Sequence, residues 1–328
     1  MKKIKRILLI YFLFLLITFI ACSQEDSVNF KEESEPLKPT FSMHEILGYT
    51  NNEILNEISG MVASINNPGL FWVHNDSGDA PIIYLVNKDM VIILKVFLEK
   101  SIYYSIDIEQ EGNNSRTSHI EDVRSIDWED ITITTKNNKN FIVVGDIGDN
   151  IGQRSSTSLY SFEEPIFKGT SNISVIADRM ILNYAEGARD AEVLMSDPIS
   201  GNMIILTKRD SKSKIYSFPF EPLKKTISSS GELNLTPLIF DDGHTNKITA
   251  GDIDKFGNVI IKNYSHVFLL ENPDKISALE LLLTVTPKEV NYIVEPQGES
   301  LCWGLDAVSY YTISENRYGQ IQPLIKYY

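Results

Sequence analysis

The chain reads as all-β, folded as a β-propeller. Three observations carry that expectation: an acidic opening recurs five times, apolar strand-like runs follow each copy, and turn sequences separate the runs. The openings are Glu57–Met61, Asp127–Ile131, Asp190–Leu194, Thr249–Ile253 and Gln297–Leu301. Their fifth column is always apolar, and every copy carries a carboxylate.

The second strands are expected at Leu70–Val73, Phe141–Val144, Met203–Leu206, Val259–Ile261 and Ser309–Ile313. Between the first and second strands lie Asn-Pro-Gly, Lys-Asn-Asn-Lys, Pro-Ile-Ser-Gly and Lys-Phe-Gly-Asn, which are hairpin signals. Third strands fall at Ile83–Leu85, Leu159–Phe162, Ile215–Phe218 and Val267–Leu269. Fourth strands fall at Val91–Leu98, Ile173–Leu182, Leu233–Phe240 and Leu279–Val285. The fifth unit has no strand of its own after Ile321–Ile325, and Phe41–Leu47 is expected to supply one and close the ring, removing exposed edges. Five four-stranded blades use every recognisable strand; six is the alternative count, and a β-sandwich with coincidental acidic turns the competing architecture. Glu109–His119 and Ser211–Lys214 read as surface loops.

Residues 1–21 resemble a bacterial lipoprotein signal peptide. Lys2, Lys3, Lys5 and Arg6 form a positive head, Ile7–Ile20 an apolar core, and Phe19-Ile20-Ala21-Cys22 a lipobox-like end. The resemblance implies cleavage before Cys22 and lipidation of its sulfur. The apolar core, 14 residues, falls short of the ~20 that span a bilayer. Residues 22–40, rich in Ser, Glu, Asp and Pro, read as a flexible tether, and 41–328 as the propeller domain. Gln24-Glu25-Asp26 is similar to an acidic surface-export signal of such lipoproteins. The expected location is the cell envelope, lipid-anchored to the outer membrane, with surface display and periplasmic retention as the two orientations.

Loss of the four positive charges in residues 1–21 takes the formal net charge from −14 to −18, which excludes a nucleic-acid ligand held by a basic surface. Once Cys22 is lipidated only Cys302 remains, so no intrachain disulfide can form.

In a propeller the first strand of each blade starts at the face where the second strand ends. The acidic openings should therefore meet the loops His74–Asp79, Gly145–Asn150, Lys208–Asp210 and Lys262–His266 around the axis. Glu129, Asp190, Glu192 and Glu299, together with Asp76, Asp146 and Asp149, would crowd together there. Like charges that close raise one another's pKa. Either they pair with Lys208, Arg209, Arg154 and Lys262, or they hold a hard cation. Calcium suits the second case, since it takes six to eight oxygen ligands in irregular geometry. Zinc does not, because the histidines show no paired spacing and cysteines are lacking. His74 is the candidate for proton transfer, having a near-neutral reference pKa.

The motifs Asp127–Ile131, Gly145–Asn150 and Asp190–Glu192 are similar to those of an uncharacterised family of secreted bacterial propellers. More distantly, Glu57–Gly60 resembles the SdiA-regulated and phytase-like propellers. The phytase likeness implies carboxylates that hold calcium and activate water for phosphoester cleavage. Two functions are thus expected. The first is a lipid-anchored module binding a glycan, small molecule or protein at the acidic axial face. The alternative is a calcium-dependent hydrolase of a phosphate ester or lactone, with Lys208 or Arg209 clamping an anion.

Overall fold

The computed structural model describes residues 40–50, 53–108, 114–233, 235, 247–316 and 319–328. The leader, Cys22 and most of the tether lie outside the described residues. Among the described residues, strand pairing resolves into antiparallel four-stranded groups that start from five innermost strands. These are β2 (Ile58–Ala63), β7 (Trp128–Lys136), β11 (Ala191–Ser196), β16 (Ala250–Ile253) and β20 (Ser300–Trp303). Each packs against the next, and β20 packs against β2, so the five enclose one axis. The fold is a β-propeller.

The groups continue outwards through second strands β3 (Phe71–Asn75), β8 (Lys139–Asp146), β12 (Asn202–Thr207), β17 (Val259–Lys262) and β21 (Tyr310–Ile313). Third strands are β4 (Ile82–Val86), β9 (Thr157–Glu163), β13 (Ser213–Pro219), β18 (Val267–Leu270) and β22 (Pro323–Tyr327). The outer strands are β5 (Ile92–Ile108), β10 (Asn172–Tyr184), β15 (Gly231–Leu233), β19 (Lys288–Val290) and, for the last group, β1 (His44–Tyr49). β1 pairs antiparallel with β22, His44 opposite Tyr327 and Ile46 opposite Ile325, so the segment ahead of the first unit completes the last blade.

Apolar runs rather than alternating ones are what such strands require, because both faces are buried. In β11, Val193 and Met195 pack towards β17 and β18, while Leu194 packs back towards β8 and β9. Five apolar layers result, one between each neighbouring pair of groups. Cys302 is a buried free thiol in the layer between the last and first groups. Trp72, Trp128 and Trp303 are all buried, so none offers a surface face for stacking a ligand.

Three expectations need correction. Leu279–Val285 is not a strand: a short helix, α1, spans Ala278–Thr284, and β19 takes the outer position instead. Ser277 caps the helix, its Oγ accepting from Glu280 N at 3.3 Å, and Ala278, Leu281 and Leu282 bury one face. That Ser-x-x-Glu start is a capping signal, and the run holds no β-branched residue before Thr284. Secondly, Glu109–His119 is not all loop. β6 (Asn114–Asp122) pairs along β5 as a long hairpin, a polar strand whose exposure hides it from hydrophobic patterning. Likewise Ser211–Lys214 gives way at Ser213 to β13. The strand expected at Leu233–Phe240 coincides with β15 only at Leu233, and 234 and 236–240 lie outside the described residues. β5 also pairs in parallel with β10, and β14 (Lys224–Ile227) adds to the far end of β10, joining the first two groups at their rims.

Candidate functional site

The acidic openings converge at the N-terminal ends of the innermost strands, and β-bulges aim them. In β2, β7 and β11 the register with the second strand skips one residue: Ser59, Glu129 and Glu192 respectively. A bulge leaves its extra residue out of the ladder and re-aims the side chain. At the first bulge Ser59 Oγ donates to Glu129 O (2.6 Å) and Trp128 O (3.0 Å), tying β2 to β7. At the next two, Glu129 and Glu192 turn their carboxylates towards one another.

Two carboxylate triplets result, sharing Glu129: Asp76, Asp127 and Glu129, then Glu129, Asp190 and Glu192, with ligand atoms in each within 4.8 Å of one another. All but Asp76 are buried. Burial, followed by the charges of Glu192, Asp76 and Asp127, drives the Glu129 carboxyl well above its ordinary range. Burial likewise lifts Asp76 to about 7 and Glu192 to about 8. Asp127 is raised for the same reason.

The cations lie around this core, each committed to a carboxylate. Lys208 Nζ stands 2.7 Å from Glu192 Oε1 and 3.1 Å from Glu299 Oε1. Burial opposes its charge, yet those two partners hold the ammonium above its usual range. In return, and against its own burial, Glu299 is held below the usual carboxylate value by Lys208 and the Tyr264 hydroxyl, 2.5 Å away. Glu315 hydrogen-bonds Glu299 and is pushed up to about 10, by burial and then by that neighbour's charge. Arg209 Nε meets Asp190 Oδ2 at 2.5 Å, and its guanidinium also reaches Asn150. Arg154 pairs with Asp146 at 2.8 Å and donates to Gly148 O at 2.7 Å.

The structure brings Asp76, Glu129, Asp190 and Glu192 together and sets other expected site residues to different tasks. Asp146 accepts from Asp127 N at 3.0 Å, besides its pairing with Arg154. Asp149 accepts from the backbone N–H groups of Gln153 (2.9 Å) and Arg154 (2.8 Å), while its own N–H donates to Asp190 at 2.8 Å. Gly145–Asn150 therefore acts as a clasp that fixes Asp127 and Asp190 of the carboxylate cluster. Lys262 is fully buried, 3.0 Å from Glu295 and under the Tyr292 ring. His74 is also fully buried, edge-on to Trp128, with Nδ1 2.9 Å from Asn75 O. Burial pushes its pKa down to about 4, so the ring is neutral packing between two blades at ordinary pH.

Asp127 completes the first triplet, and the sequence signal for it is its place in the first column of the opening. Asp130 and Asp252, in the fourth column, do something else. Asp130 accepts from Ile131 N and, across the blade boundary, Leu194 N, both at 2.8 Å. Asp252 repeats this with Ile253 N and Trp303 N, again at 2.8 Å.

The donors of the two triplets are all carboxylate oxygens, chemistry that suits a hard cation such as calcium and not a thiophilic one. The close backbone of Gly148 is part of the fit, since a Cβ there would land against Glu129 Oε1 and the Asp127 carboxylate.

No family model matches the chain, and no curated protein matches it. Among solved structures, a gluconolactonase from Xanthomonas campestris is similar over 86% of this chain and 88% of its own, at 8% identity and a TM-score of 0.45. The major Malassezia sympodialis allergen Mala s 1 is similar over 81% and 91%, at 7% identity and a TM-score of 0.41. Neither likeness is of a degree that bears on activity.

Proposed function

We propose that this propeller holds a hard divalent cation, calcium by donor chemistry, at its acidic axial end and through it binds a neutral, oxygen-rich ligand. The observation that carries the reading is the pair of triplets sharing Glu129, whose burial and mutual repulsion raise the carboxyls' proton affinity and which a bound cation would neutralise. Bound there, a cation would supply Lewis acidity and open coordination positions to hydroxyl or carbonyl oxygens. The chain's own groups narrow the ligand. Lys208, Arg209, Arg154 and Lys262 are each paired with a carboxylate, so a phosphate ester would find no uncommitted cation among them. A sugar or a lactone needs none.

Hydrolysis of a bound lactone is the second reading: a cation held by the triplets would polarise the lactone carbonyl, and Asp76, their least enclosed member, marks the side from which a ligand could reach it. Under either reading the lipoprotein-like leader and acidic tether support a domain held at the outer-membrane surface, with membrane contact made through lipid on Cys22.

The test is calorimetric titration of the metal-free protein with calcium, followed by a panel of neutral sugars, lactones and phosphate esters. Cation binding that Glu129→Gln removes, with lactones or sugars bound only when calcium is present, is the expected result. Tight calcium binding by Glu129→Gln would overturn the site. Preferential turnover of phosphate esters would overturn the ligand class.

A further inference from the structure

The closure that gathers carboxylates at one end of the axis gathers a different set of groups at the other. There the C-terminal ends of all five innermost strands line a cavity of about 280 Å³. Its walls are largely apolar, with Val62, Ile133, Ile253 and Leu305 contributed by four different blades. Trp303, only 3% exposed, also lines it, and its indole N–H finds no acceptor among the described residues. A buried donor left unpaired is destabilising, and a bound acceptor would relieve that cost.

The charged groups of the lining are already spoken for. Asp252 uses both oxygens on backbone N–H groups. Asp197 accepts from Ile199 N, Ser200 Oγ and Ala278 N. Asp254 accepts from Phe256 N, Asn258 N and Asn258 Nδ2. Lys255 donates to Leu305 O at 3.0 Å. The lining thus offers an anion no uncommitted cation, since Lys255 is engaged and every carboxylate already accepts hydrogen bonds.

We infer that this end of the channel is a second binding site, for a compact neutral molecule with an apolar body and one hydrogen-bond acceptor, which pairs with the Trp303 N–H. The volume falls just below the range of roughly 300–1,000 Å³ for small-molecule pockets, which suits a ligand of a single ring. The site is separate from the acidic cluster and stands whether or not that cluster binds a cation.

Cyclohexanone and cyclohexanecarboxylate test it, since they share a ring and an acceptor and differ in charge. The probe is the indole ¹⁵N–¹H signal of Trp303 in the full chain, held in nanodiscs and assigned with Trp303→Phe. Cyclohexanone should shift that signal while leaving Trp72 and Trp128 in place, and the carboxylate should bind at least tenfold more weakly. Thr134→Trp, which fills the cavity from its rim, should abolish the shift. An unmoved Trp303 signal, equal binding of the carboxylate, or an undiminished shift in Thr134→Trp would each overturn the inference.

Discussion

Glu129 and Glu192 are the extra residues of matching β-bulges in neighbouring innermost strands, and their carboxylates meet in one triplet. The bulge is what turns a repeat into a site. Without the skipped residue, each side chain would keep to its ladder position and the acidic column would not converge on the axis.

Calcium should stabilise the protein. A free concentration of about 100 times Kd contributes roughly 2.7 kcal/mol, a rise of several degrees in Tm. Glu129→Gln should remove the rise, because both triplets lose the carboxylate they share. Differential scanning calorimetry with calcium and with a chelator reads this directly.

Gly148→Ala should abolish the same calcium response by a different route. Its new Cβ would displace the carboxylates of Glu129 and Asp127 while leaving every ligand in the chain. The variant should still unfold cooperatively in chelator, and a preserved calcium shift would show that the cluster accommodates the methyl group.

Stability should fall as pH rises in the absence of cations. Asp76 and Glu192 have folded-state pKa values raised to about 7 and about 8, against unfolded values of roughly 4. The folded state therefore binds more protons across that interval. Its advantage is complete below the unfolded values and is lost as pH climbs through the folded ones. Tm in chelator should accordingly decline between about pH 5 and about pH 8, and saturating calcium should flatten the decline. A chelated protein whose Tm rises over that range would contradict the assignment.

Asp252→Ala should cost more than Asp252→Asn. Alanine strands the Ile253 and Trp303 N–H groups, at about 1–3 kcal/mol per buried donor, whereas asparagine keeps one acceptor. Asp130 should behave alike at the second blade boundary. Urea unfolding midpoints of the four variants give the comparison.

Phe41→Ala should destabilise by about 3–5 kcal/mol. The ring is buried edge-on to Tyr310, with centroids 4.9 Å apart, in the layer between the last two blades. Loss of cooperative unfolding would show that this layer holds the ring shut.

The repeat was legible in the sequence because inner blade strands such as β2, β3, β11, β17 and β20 are buried on both faces, so their apolar runs stand out from the polar turns. The place of the closing strand was legible too: Phe41–Leu47 overlaps β1, at the one point where a unit lacked a partner. What escaped were features that depend on register and neighbours. Glu129 was expected at the axial face from its column, but the skipped residue that turns its side chain there leaves no mark in composition. Asp149 and Asp146 look like ligands in a Gly-Asp loop, but backbone N–H groups and Arg154 occupy them. Lys262 follows an apolar run just as Lys208 follows a similar one, yet only Lys208 meets the bulged carboxylates. α1 was missed because a leucine run suits a helix and a buried strand equally well.

Pairing of β1 with β22 means that one of the earliest strands made waits for the last. During synthesis the ring cannot close until β22 emerges. Until then β1 lacks its strand partner, and the unclosed blades are open to chaperones and proteases.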